Sequence, residues 1–149
     1  MSLELIFSLT SSVAMAAWIA LVLQVLRPDF GRWLQPVGRG VIPMLLAVAY
    51  VYLALAGLGQ NSGGYGSLAE VKVLFSSDSA LLAGWIHFLV FDLLIGYWIA
   101  QDARANQLSP WLQVPILLLT FGFGPAGWLV YQLIRQVKQG VFKLRKVGF

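Results

Sequence analysis

The sequence predicts an all-α integral membrane protein, four transmembrane helices in a small bundle, and three observations carry that prediction. Of 149 residues, 59% are apolar and only 11% charged, against roughly a quarter charged in soluble domains. Mean hydropathy is +0.79. Four stretches reach the ~20 residues that a helix needs to cross a hydrocarbon core about 30 Å thick. The spans fall at about 5–26, 41–58, 80–100 and 114–134, in one domain over 1–149 with a basic C-terminal tail at 135–149.

The first span runs from Leu5 to Leu26 and stops at Arg27-Pro28-Asp29. No basic segment precedes it, and it exceeds the apolar core of a signal peptide, about 7 to 15 residues. It therefore reads as a retained helix. The second span, Val41 to Leu58, begins near Pro43 and ends in Gly57-Leu58-Gly59. Next come the loop chemistry of QNSGGYG and the run LAEVKVLF, too short to span and expected at the interface or against the bundle. Ala80 to Ala100 makes the third span and Val114 to Ile134 the fourth. The fourth contains TFGFGPAGW, Thr120 to Trp128. Pro125 has no amide hydrogen and its ring clashes with the preceding turn, which predicts a kink or break there. Irregular backbone lining a cavity and close packing through Gly122, Gly124 and Gly127 both account for the pattern.

Composition also excludes classes of chemistry. With no Cys, disulfides, thiolate nucleophiles, Fe–S clusters and thiolate metal sites are absent, and one His is too few for a bis-histidine haem or a histidine-rich zinc site. No cofactor and no metal is implied. Six of the ten basic residues, Arg27, Arg32, Arg135, Lys138, Lys143 and Arg145, flank ends of apolar runs. They read as topology signals and phosphate anchors, not as a nucleic-acid surface. Four crossings put both termini on one side. That side then holds Lys72, Arg135, Lys138, Lys143, Arg145 and Lys146, against Arg27, Arg32, Arg39 and Arg104 opposite, so the expectation is cytoplasmic termini. The tail reads either as an interfacial segment or as a solvated stop-transfer run.

The third span carries His87 and Asp92. An ionised Asp at a helix centre costs about 2.5–3.5 kcal/mol on insertion scales, so such a residue needs a reason. At about 100° per residue, Asp92 shares a face with Trp85, Phe88, Ile95 and Gly96, whereas His87 lies about 140° away. Two readings of Asp92 stand open: a neutral carboxyl bonded across helices, or a proton-transferring group in a desolvated site. His87 divides the same way, between interhelical bond and proton relay. Asp102 and Arg104 read as a solvated helix end or as a clamp on a polar group of a substrate. Six Trp, five Tyr and nine Phe are many for this length. Trp18, Trp33, Trp111 and Tyr131 fall where aromatic belts occur. Trp85, Phe88, Phe91, Tyr97 and Trp98 share the helix of His87 and Asp92, as lipid-facing rings or as walls for a flat polyene.

The run LFSSDSALLAGWIHFLVFDLLIGYWIAQDA, followed by P-x-L-L-L-T-F-x-F-G-P-A-G, resembles the family of small membrane proteins named for the plant abscisic-acid-deficient-four protein. The likeness covers about Leu74 to Arg135, with W-x-H-x4-D at Trp85, His87 and Asp92 and G-P-x-G at Gly124, Pro125 and Gly127 as its core. Gly96-Tyr97-Trp98 stands where the plant proteins tend to be polar or basic. The resemblance implies carotenoid or related isoprenoid chemistry, since the plant family is required to form the allenic carotenoid neoxanthin from violaxanthin. The implied reaction is a cofactor-independent isomerisation of an epoxide to an allenic alcohol. Asp92 would be the acid and His87 the base or relay. Trp85, Phe88, Tyr97, Trp98, Gly124, Pro125 and Asp102 would bind substrate. Implied partners are a carotenoid or other isoprenoid lipid, membrane lipids, a second copy or other carotenoid enzymes, with no nucleic acid. Without an obvious plastid transit peptide, a bacterial-type member in a bacterial inner membrane is expected. A non-catalytic carotenoid- or lipid-binding scaffold is the competing class; a transporter has too few intramembrane ionisable groups.

Overall fold

The computed structural model describes residues 2–31, 34–57 and 63–147. Arg32, Trp33, the Leu58-Gly59 end of the second span and the start of the QNSGGYG segment lie outside the described residues, as do the side chains of residues 30, 31 and 141–147, Lys143, Arg145 and Lys146 among them. Every regular element among the described residues is helical.

Helix α1, Leu3–Leu26, starts where the Ser2 hydroxyl accepts the Leu5 amide at 3.3 Å. It ends before Pro28, which opens the short α2, Pro28–Gly31. Ile6, Thr10, Ala14, Ala17, Trp18, Leu21, Gln24 and Val25 are buried at helical spacing. Leu5, Leu9, Met15, Ile19 and Leu23 face outward. A π-helical turn, Val37–Val41, feeds α3, Ile42–Ala56. Met44, Leu45, Val48, Tyr52 and Leu55 of α3 are exposed, an apolar outer surface that suits lipid and not water. Helix α4, Leu68–Leu74, is too short to span and has no buried residue. Ser67 caps it by accepting the Glu70 amide at 3.2 Å, while the Glu70 carboxylate accepts the Gly66 amide at 3.0 Å. The central helix is α5, Asp78–Ala105. At 28 residues it is about 42 Å long, ample for a crossing.

The register of each neighbour against α5 follows from paired contacts. Helix α1 runs parallel to it: Trp85 Nε1 donates to Ser11 Oγ at 3.0 Å, Trp18 packs on Gly96, and Arg104 Nη2 reaches the Gln24 carbonyl at 3.5 Å. Helix α3 runs antiparallel, with Gly57 beside Ser79, Tyr50 against His87 and Gly38 against Tyr97. Among the described residues, α1, α3 with its π-helical turn, and α5 are the three helices long and apolar enough to cross a membrane.

The expected fourth crossing over 114–134 is not there. The chain forms α6, Pro110–Gly122, breaks at Phe123, and continues as α7, Gly124–Val147. Helix α7 runs parallel to α5, because Gly124 meets Asp92, Tyr131 packs on Trp98 at 5.7 Å, Arg135 lies 2.9 Å from Asp102, and Lys138 reaches Asn106 at 2.6 Å. Its start sits halfway along α5 and it climbs back toward the end that α6 left. The pair is a helical hairpin inserted beside α5. The break expected near Pro125 falls at Phe123, whose φ of −147° and ψ of 62° are not helical. Pro125 offers no amide to continue the helical ladder. The turn closes tightly because Gly127 sits on the backbone of Thr120, where a Cβ would have no room. Helix α6, 13 residues, covers only about 20 Å. The N-terminus and the far end of α7 lie at opposite ends of the bundle, so the expectation of both termini on one side, which rested on four crossings, does not hold.

Two clusters of buried side chains fill the bundle. One joins Leu21, Leu93, Ile99, Leu117 and Tyr131, and the other joins Ile6, Leu46, Leu53, Ile86 and Leu89. Trp18 and Tyr131, 4% and 1% exposed, belong to the interior and not to an interfacial belt. Trp111, 80% exposed at the start of α6, is placed as a belt residue would be.

Candidate functional site

Asp92 lies midway along α5, 6% exposed, and points at the turn of the hairpin. The Gly124 amide donates to its carboxyl, and a Cβ on residue 124 would collide with that carboxyl. A helix start leaves amide donors unpaired, and here each has a place. Gly124 donates to Asp92, Pro125 has no donor, and Ala126 and Gly127 donate to the Phe123 carbonyl at 2.8 and 3.2 Å. The carboxyl also faces the positive end of the α7 dipole. Asp92 therefore holds the tip of the hairpin. Its Oδ2 is buried with no hydrogen-bond partner among the described residues, which calls for a chemical explanation.

His87 takes another direction. It is exposed and its ring packs on Tyr50 and Phe91 at 5.5 and 4.6 Å. Trp85, 40% exposed, stacks between Phe7 and the half-buried Phe88. Tyr97 is buried beside Gly38 of the π-helical turn, its hydroxyl without a hydrogen-bond partner among the described residues. The structure thus joins Asp92 with Gly124 and Pro125, and Trp98 with Asp102 through Tyr131. It sets His87, the Trp85–Phe88 pair and Tyr97 apart from Asp92.

Of the two readings of Asp102, the solvated helix end does not hold, because side chains of neighbouring turns tie up its carboxylate. It accepts hydrogen bonds from the Tyr131 hydroxyl and, at 3.1 Å, from Asn106 Nδ2, and it pairs with Arg135 at 2.9 Å. One turn further along α7, Lys138 donates to the carbonyls of Asn106 and Gln107, each at 2.6 Å. These contacts moor α7 to the end of α5. Sequence reasoning passed over Tyr131 as a belt residue and Arg135 and Lys138 as topology charges. The available signal was spacing: Tyr131, Arg135 and Lys138 form one stripe of a helix, matching Asp102 and Asn106 four apart.

Away from this region, a groove of ≈ 530 Å³ opens between α1 and α3, lined by Leu3, Ile6, Leu45, Val48, Tyr52 and Ser79 among others. Its walls are mostly hydrocarbon. Among the described residues, no group of three or more His, Asp or Glu side chains converges as a metal site would require.

A central helix flanked by two other long apolar helices, with a hairpin docked halfway along it around a buried carboxyl, defines a small polytopic membrane protein. A sequence model described as ABA DEFICIENT 4-like matches residues 5–131, and the chain belongs to that family. The match extends the likeness from the third and fourth spans to α1 and α3. Among curated proteins the chain is similar to Protein ABA DEFICIENT 4, chloroplastic, of Arabidopsis thaliana, at 27% identity over 108 residues. That stretch is 67% of this chain and 48% of the relative, so the chain spans about half the length of the curated protein it matches. No solved structure matches.

Proposed function

We propose that the protein acts within the bilayer on a carotenoid or related isoprenoid, as a cofactor-independent isomerase of the epoxide-to-allene type in which Asp92 moves the proton. The observation that carries this reading is the buried Oδ2 of Asp92, which has no hydrogen-bond partner among the described residues although the amides of the hairpin tip are matched. Family membership and the neoxanthin link of the resemblance supply the substrate class. In the isomerisation, a proton passes to the epoxide oxygen as its C–O bond opens, and a polyene carbon loses a proton as the allene forms. The two transfers cancel and the mass is unchanged. One carboxyl serves both, giving a proton first and taking one back, which fits the placement of His87 on a different face. General acid–base catalysis of this kind supplies typically 10²- to 10⁴-fold.

The α1–α3 groove favours a second reading, a non-catalytic carotenoid or isoprenoid binder, because its apolar walls suit a long hydrocarbon and contain no acid or base. Expression in bacterial hosts that accumulate defined carotenoids, an epoxide among them, separates the two. An isomer of unchanged mass that disappears with Asp92→Asn supports the isomerase. The side-chain amide introduced by Asp92→Asn still offers a carbonyl to the Gly124 amide, so that variant should reach the membrane in normal amount. An unchanged pigment profile with pigment retained on the purified protein replaces the isomerase with the binder.

A further inference from the structure

Because α7 turns back, the two ends of the bundle carry opposite charge. Among the described residues, the end where α5 meets α6 gathers eight basic residues: Arg27 and Arg39 in the stretch of chain between α1 and α3, Arg104 on α5, and Arg135, Lys138, Lys143, Arg145 and Lys146 along α7. Only Asp29 and Asp102 oppose them there. The other end has Lys72 alone, with Glu4, Glu70 and Asp78. If residues 114–134 crossed the membrane, the five basic residues of α7 would sit opposite Arg27, Arg39 and Arg104 and the asymmetry would vanish. The hairpin creates it.

We infer that this basic end lies on the cytoplasmic side, against anionic phospholipid headgroups, and that the N-terminus and the α3–α5 connection lie across the membrane. Lys and Arg in short connections set orientation, with the first helix usually dominant. Here the connection after α1, with its three arginines, and the tail agree on one side. Anionic headgroups attract basic segments next to a span. Helix α7 is placed to meet them. Lys138 is already level with Asn106 and Gln107 beyond the end of α5, and the helix continues to Val147, nine residues or about 14 Å further.

These 149 residues hold no cysteine, so single-cysteine variants of the chain report side directly. Three positions suffice: Tyr65→Cys in the α3–α5 connection, 85% exposed; Ser109→Cys before α6, exposed; and Gly140→Cys on α7, where a Cβ meets nothing within 4 Å. In spheroplasts of a bacterial host treated with a membrane-impermeant maleimide, Tyr65→Cys should label at once. Ser109→Cys and Gly140→Cys should label only after permeabilisation. Labelling of Ser109→Cys and Gly140→Cys from opposite sides would show that α6 and α7 together cross, and a reversed pattern would show the opposite orientation; either overturns the inference. For the headgroup contact, nanodiscs containing phosphatidylglycerol should raise the unfolding temperature over phosphatidylcholine alone, and added salt should remove the gain. Equal temperatures in the two lipids would overturn that part.

Discussion

Asp92 and Gly124 are a pair whose two halves fail in different ways. Asp92→Ala removes the acceptor from the Gly124 amide and should cost about 1–3 kcal/mol, the penalty of leaving a buried donor unmatched. Asp92→Asn keeps an acceptor, so the proposed turnover should fall by 10² or more while the unfolding temperature in detergent stays near that of the natural protein. Gly124→Ala puts a methyl group into the carboxyl and should destabilise by about 1–3 kcal/mol, as overpacking does, read as a lower unfolding temperature. His87→Ala should leave the proposed conversion within a few-fold, since its exposed ring touches Tyr50 and Phe91 and not Asp92. The sequence singled out Asp92 because a carboxyl in an apolar run needs a reason. It did not pair Asp92 with Gly124, 32 positions away, because helical periodicity assigns a face on one helix and says nothing of what meets it. Asp102 was misjudged for the same cause: a carboxylate near a span end looks solvated until a helix returns to cover it.

At the level of elements, the three long helices were legible from length and hydropathy. Expected spans of 5–26, 41–58 and 80–100 meet helices Leu3–Leu26, Val37–Ala56 and Asp78–Ala105. The fourth was misread because an apolar run records how much hydrocarbon it can cover and not the direction it travels. A break halfway turns a crossing into two short arms of similar composition. Here the break shows in Gly124-Pro125 and the reversal in Gly127, whose missing side chain lets it sit on Thr120. Gly127→Val should therefore disrupt the hairpin more than Gly122→Val, since a Cβ at Gly122 meets nothing within 4 Å. Limited proteolysis in detergent, read as faster cleavage between α6 and α7, distinguishes them. Asp102→Ala should loosen the other end of α7 by about 1–2 kcal/mol. It leaves the Tyr131 hydroxyl and Arg135 without their acceptor, yet the side chains of Arg135 and Asp102 keep 33% and 22% exposure, which holds the loss down.

Over the whole molecule, hydropathy gives the membrane class but not the separation of its parts. The apolar groove lies toward the N-terminal end between α1 and α3, the buried carboxyl at mid-length against α7, and the moorings of α7 at the basic end. The hairpin also bears on how the protein is made. A ribosome delivers α5 before α6 and α7, so a nascent chain that has just finished Ala105 holds Asp92 and Asp102 with no residue from the later helices to meet them. Helix α6, at 13 residues, is a poor substrate for independent insertion by a translocon. Its lodging place is the side of α5 that was laid down moments earlier. The two carboxyls of α5 thus find the residues that cover them only when a later stretch of the same chain folds back against it.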